Sequence, residues 1–184
     1  MMMEITTYGN PILRKKAVKV QAVTPAIQAL AASMLETMYA DQGLGLAAQQ
    51  VGRTEAICVI DVPAEHQGED SVELNVAAKM PLVLINPVVS DPEGTLRCKE
   101  GCLSFPDLYM DVTRPRSITV AYMGLDGQHY ELRVHGMLAR AVIHESDHLA
   151  GVLFIDKLSP TQKMVSAGKL RRIKAHTASL REAE

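Results

Sequence analysis

Helical and strand-like stretches fall in separate runs of this sequence, which predicts an α+β fold: antiparallel strands, one helix near the N-terminus, one central helix and one at the C-terminus. Three observations carry the prediction. Ile27, Leu30, Ala31, Met34, Leu35 and Met38 recur at helical spacing. Two apolar runs flank Gly124-Leu125-Asp126-Gly127 in the pattern of a β-hairpin. A second helical pattern, with Leu138, Ala141, Val142, Glu145 and Leu149 on one stripe, runs through His144-Glu145-Ser146-Asp147-His148.

Composition narrows the functional classes. A length of 184 residues is best read as one domain, 1–184, large enough for a real core. A net charge of -2 and 47% hydrophobic residues exclude a disordered chain and a strongly basic nucleic-acid binder, so no specific DNA partner is expected. Tryptophan is absent, which argues against base-stacking platforms. No apolar run has the length of a membrane span, and Met1-Met2-Met3-Glu4-Ile5 does not begin like a secretory signal, so the expected location is the cytoplasm, with no membrane partner. Cys58, Cys98 and Cys102 cannot all pair, which favours reduced thiols or a metal ligand over disulfides.

In chain order, Tyr8-Gly9-Asn10-Pro11 is a turn and Thr24-Pro25 opens the first helix, with Thr as N-cap and Pro in the first turn. The helix ends near Asp41-Gln42-Gly43. Gly43-Leu44-Gly45-Leu46-Ala47-Ala48-Gln49-Gln50 keeps bulky side chains away, so a ligand or a strand can approach its backbone; Gln50 brings a side-chain amide to this small-residue lining. Residues 56–60 read as a buried strand, 61–79 as a surface loop, and 81–89 as an edge strand interrupted by a proline. Residues 91–94 read as a turn and 111–116 as a basic turn. Residues 117–122 and 128–134 form the hairpin, with His129 and His135 as ordinary strand histidines. Residues 152–155 read as a short strand, and Ser159-Pro160 starts the last helix. Its Lys163, Lys169, Arg171, Arg172 and Lys174 make either a solvated face or a dock for an acidic partner such as ribosomal RNA.

The central helix carries the chemistry. His144 and His148, four apart, project from one helix face and can share one metal ion, while Glu145 is placed as a general base for metal-bound water. A carboxylate inside an apolar stripe is costly unless it is paired or neutralised. The motif alone also fits two satisfied histidines and a salt-bridged Glu. Cys98 and Cys102, four apart, lack a second pair; Cys102 reads as one soft ligand beside Gly101 or as a buried structural cysteine.

Three stretches, in this order, resemble the peptide deformylases: Gly43-Leu44-Gly45-Leu46-Ala47-Ala48-Gln49-Gln50, Glu100-Gly101-Cys102-Leu103-Ser104 and His144-Glu145-Ser146-Asp147-His148. The resemblance implies antiparallel strands wrapped around the metal-binding helix. It implies a divalent metal ion on Cys102, His144 and His148, with ferrous iron in the cell and zinc, nickel or cobalt as replacements. Glu145 is then the acid/base, and Gln50 and the Leu103 backbone N–H hold the oxyanion. The implied substrates are N-formyl-methionyl peptides and nascent chains. Leu44, Gly45, Cys98, Glu100, Gly101, Met137 and Ala141 are the expected substrate-binding set, with Leu44, Cys98, Met137 and Ala141 around the methionine side chain and Gly45 pairing with the substrate backbone. Asp147 is expected to pair with Arg114.

Two positions depart from the family pattern. Ile143 replaces the usual Gln before the first metal His, and Asp107-Leu108-Tyr109-Met110 stands where some members carry a peptide-binding Arg. The competing readings are a zinc peptidase, whose downstream third ligand would have to be Asp156, and a non-catalytic binder of formylated or free N-termini.

Overall fold

The structure, a computed structural model, describes residues 1–67 and 73–182. The first helix is α1 (Pro25–Ala40), capped by the Thr24 side chain, which accepts from the Ile27 N–H. Two short strands follow, β1 (Gly45–Ala47) and β2 (Ile57–Ile60), and then a single helical turn, α2 (Ala64–Gln67). Next come β3 (Leu82–Glu93), β4 (Leu96–Glu100), β5 (Met110–Arg114), β6 (Ser117–Met123) and β7 (His129–His135). The chain ends with α3 (Gly136–Leu149), which carries the His-Glu-x-x-His motif, and α4 (Pro160–Glu182). All pairing within the two sheets is antiparallel: β1-β2-β3-β6-β7 in one, β4-β5 in the other. The predicted α+β class and the hairpin at Gly124–Gly127 are both present.

Strand β2 shows why its sequence is apolar without alternation. Cys58 and Ile60 pack on one side with Leu138, Val142 and Leu149 of α3, whereas Ile57 and Val59 pack on the other with Leu30, Met34 and Met38 of α1. A strand covered on both faces needs apolar side chains on both. The stripe read on the central helix is the face that meets this sheet, and Glu145 is buried within it. A third cluster joins Leu13, Phe105, Val112 and Phe154 to the flank of α4 through Leu170.

Several local expectations are corrected. Residues 81–89 are not an edge strand: β3 lies between β2 and β6. Pro87 is tolerated because the register shifts between Ile85 and Val88, so no ladder bond is required of it. Asn86, at φ 52, anchors the shift by accepting from the Val20 N–H at 2.9 Å and donating to the Val20 carbonyl at 2.8 Å. The expected turn at 91–94 is largely strand, with a second register shift between Ser90 and Glu93. The basic turn at 111–116 is mostly β5, paired from Asp111 to Arg114 against β4. The surface loop at 61–79 includes the α2 turn, and its residues 68–72 lie outside the described residues. Residues 152–155 are not a strand; a 3-10 turn, Phe154–Lys157, forms there because Asp156 accepts from the Leu153 N–H at 2.9 Å. No helix among the described residues is long and apolar enough to cross a membrane.

Gly151 ends the metal helix at φ 75, where an added Cβ would sit 2.5 Å from the Arg14 carbonyl oxygen. Gly151→Ala therefore combines backbone strain with a backbone collision, and a loss of about 1–3 kcal/mol is expected in chemical denaturation.

Candidate active site

Helical spacing places the two histidines of α3 on one face, and both are buried. Cys102 arrives from a different element, the loop after β4, in a turn closed by the Phe105 N–H donating to the Cys102 carbonyl at 2.8 Å. One donor atom from each of Cys102, His144 and His148 falls within 4.8 Å of the other two. Cys102 Sγ is 3.2 Å from His148 Nε2. His144 Nδ1 is 2.6 Å from Glu100 Oε1, so the carboxylate takes the Nδ1–H and leaves the Nε2 lone pair for a metal. A thiolate and two imidazoles arranged in this way fit a divalent transition metal.

Behind these donors lies a buried charge cluster. Glu100 receives Arg114 through Oε1 at 2.6 Å and Oε2 at 2.8 Å, and Arg140 through Oε2 at 2.5 Å. Burial pushes the Glu100 carboxyl up, but Arg114 and His144 outweigh it and hold the group well below the usual carboxylate range. Arg114 also bonds Asp147 at 2.8 Å, which is the pairing expected from the sequence. The apolar side chain of Ile143 packs against the sheet core.

Glu145 is 4% exposed, and its Oε2 has no hydrogen-bond partner among the described residues. Burial raises its pKa to about 7, against the opposing pull of His144. Such a carboxyl can exchange a proton near neutrality. Beside it runs Gly45 of β1, at the sheet edge; any Cβ there would overlap the Glu145 carboxylate. Gln50 sits in a buried 3-10 turn, Ala48–Val51. Its Oε1 accepts from the Ala47 N–H at 2.8 Å, which turns Nε2 toward Cys102 Sγ, 3.4 Å away.

These groups open onto a cavity of about 600 Å³. Of the expected substrate-binding set, Leu44, Gly45, Glu100, Gly101, Met137 and Ala141 line it, as do Leu103 and Gln50. Glu100 does so with both oxygens already engaged, so its carboxylate orients His144 and the arginines. Cys98 is not brought to the cavity. It pairs with Val112 across the two-stranded sheet, whereas Arg140, which donates to the Leu96 carbonyl at 3.0 Å, does line the cavity. The sequence reading missed Arg140, although it stands one helical turn before His144. It also missed Tyr109, whose 63% exposed ring lies against Gly101 at the cavity mouth, and Ile5 and Thr7 from the N-terminal segment. Asp156 is not part of the ligand group; it pairs with Arg14 at 2.5 Å, which removes the third ligand that the peptidase reading required.

Replacing Glu100 with Gln leaves two buried guanidinium groups facing a neutral amide. Glu100→Gln is expected to lower stability by about 3–5 kcal/mol. Chelator competition on the folded fraction should show metal affinity reduced about 10–100-fold, because His144 loses its orienting carboxylate.

Comparison with known proteins agrees with this geometry. The family model described as polypeptide deformylase matches residues 2–164. The peptide deformylase of Endomicrobium trichonymphae is 40% identical, over 94% of this chain and 95% of its own length. Peptide deformylase 2 of Xanthomonas campestris is also 40% identical, over 96% and 99%. Among solved structures, peptide deformylase from Ehrlichia chaffeensis in complex with actinonin superposes with a TM-score of 0.82 at 35% identity, covering 93% of this chain and 96% of that one. The enzyme from Thermus thermophilus gives 0.82 at 35% identity, covering 96% and 99%. A hydrolase with a metal-binding Cys, His, His group, this chain belongs to the polypeptide deformylase family.

Proposed function

We propose that this chain hydrolyses the formyl group from N-formyl-methionine at the N-terminus of newly made polypeptides, releasing formate and a free amine. The observation that carries the reading is the meeting of Glu145, the Gln50 amide, Cys102 and His144 at one cavity wall beside Gly45 of the edge strand β1, with His148 completing the Cys102, His144, His148 donor group. When bound, a divalent ion supplies Lewis acidity and lowers the pKa of water toward neutrality. Cys102, His144 and His148 would hold it through one sulfur and two nitrogen donors. We assign ferrous iron in the cell, with zinc, nickel and cobalt as replacements compatible with the mixed sulfur and nitrogen donors.

Glu145 takes the proton of the attacking water and later delivers it to the leaving nitrogen as the C–N bond breaks. Gln50 Nε2 and the Leu103 N–H donate to the oxyanion that develops on the formyl oxygen. The substrate backbone pairs with β1 near Gly45 as an added strand. Leu44, Met137 and Ala141 surround the methionine side chain, and Gly101 leaves room for Tyr109 to lie at the mouth. A formyl carbon carries hydrogen where other acyl groups carry carbon, so crowding between Glu145 and Gly45 excludes larger acyl groups. Residues 1–184 act as one catalytic domain, because Ile5 and Thr7 form part of the cavity wall and Lys169 of α4 bonds the Asp107 carbonyl at its rim. The exposed Lys163, Arg171, Arg172 and Lys174 of α4 are opposite in charge to ribosomal RNA, and docking there would place the enzyme near nascent chains in the cytoplasm.

Formate release from a formyl-Met tripeptide tests the reading, using protein purified without oxygen and loaded with iron or nickel. Release is expected, with loss in Cys102→Ala and Glu145→Ala. Gln50→Ala should lower kcat about a hundredfold or more. Absence of release with metal demonstrably bound would overturn the proposal. Gly45→Ala should keep the fold and bound metal yet lower kcat strongly, because its Cβ displaces the Glu145 carboxylate.

A further inference from the structure

Residues 1–8 form no helix or strand, yet their backbone is tied to both segments that carry the proposed oxyanion donors. The Thr6 N–H donates to the Gln50 carbonyl at 2.7 Å, and the Tyr8 N–H donates to the Ser104 carbonyl at 2.9 Å. Groups two apart along an extended backbone face the same side, which lets a short segment engage two loops at once. Those loops belong to different sheets. Gln50 follows β1 of the five-stranded sheet, and the segment Cys102-Leu103-Ser104 follows β4 of the two-stranded sheet. No shared ladder sets the spacing between the Gln50 amide and the Leu103 N–H. The two bonds from Thr6 and Tyr8 bridge that gap, and the Tyr8 ring stacks on Phe105 at 5.0 Å to hold the Ser104 side in place.

The bridge is itself clamped from the far end of the chain. Thr177 of α4 is 4% exposed, with Oγ1 2.9 Å from the Tyr8 carbonyl and 2.6 Å from Thr7 Oγ1. Its single proton serves the Tyr8 carbonyl or, within the helix, the Ile173 carbonyl at 3.0 Å, while its lone pairs accept from Thr7. On an otherwise mostly solvated helix, a buried hydroxyl that meets the Thr7 hydroxyl and the Tyr8 carbonyl is a specific contact.

We propose that residues 6–8 are a staple that fixes the spacing of the two oxyanion donors, and that Thr177 is the positioning residue that holds the staple. The proposal rests on the assignment of Gln50 and Leu103 as those donors. Donor spacing matters in the transition state more than in substrate binding, so a loosened staple lowers kcat and leaves KM in place.

The test compares Thr177→Val, Thr177→Ser, Thr6→Pro and Gln50→Ala in the metal-loaded enzyme, reading kcat, KM, bound metal and Tm. Thr177→Val removes the hydroxyl at nearly constant shape, and Thr6→Pro removes the bridging N–H. Both are expected to lower kcat about tenfold at unchanged KM and metal content, with Thr177→Ser restoring kcat to within about twofold of the parent. Parental kcat in Thr177→Val and Thr6→Pro, alongside an impaired Gln50→Ala, would overturn the staple and leave the oxyanion assignment standing. Parental kcat in Gln50→Ala would overturn both. A kcat loss in Thr177→Val that tracks loss of metal, or that Thr177→Ser fails to restore, would make the residue merely structural and overturn the proposal.

Discussion

Glu100 places a carboxylate inside the protein among two arginines and one of the proposed metal histidines, and the arrangement of the site follows from satisfying it. Replacing such a cluster with apolar side chains often costs nothing in stability, so stability alone does not explain it. Its consequence is geometric. Arg114 comes from β5, Arg140 and His144 from α3, and Glu100 from the end of β4, two residues before Cys102. A single carboxylate thus registers the two-stranded sheet, which leads to the thiol, against the helix that supplies both imidazoles. Asp147 extends the network by holding Arg114 from the next turn of the helix.

The five-stranded sheet gives the helix its other fixed face. β2 is buried on both sides, so α3 and α1 are located relative to each other through one thin apolar layer. β1 stays at the edge of that sheet with Gly45 beside Glu145, so a free backbone edge and a buried acid adjoin each other. The acid is tuned by the same burial. Removal from water pushes the Glu145 carboxyl up to about 7.

Some errors of sequence reading have a common physical origin. Pro87 suggested an edge strand because proline cannot donate to a ladder, but a register shift removes that demand in the middle of a sheet. Cys98, expected at the methionine pocket through the resemblance, pairs across the two-stranded sheet with Val112 and is not among the residues that line the cavity, whereas Arg140 is. Residues 152–155 alternate in no way that separates a strand from a turn, and the choice was made by the Asp156 side chain capping Leu153 while pairing with Arg14 from the other end of the chain.

The sequence by itself determined what depends on short spacing. His144 and His148 share a helix face because they are four apart; the stripe through Leu138, Val142 and Leu149 had to be buried; the hairpin followed from its glycine turn; and the residue types of the three motifs named the chemistry. Even the Asp147–Arg114 pair was anticipated, through the resemblance rather than the spacing. Only the tertiary structure decided which groups from distant segments meet. It set Glu100 on His144, Arg140 over β4, and the backbone of Thr6 and Tyr8 between Gln50 and Ser104. Those contacts join residues tens of positions apart, where periodicity carries no information and packing alone fixes the partner.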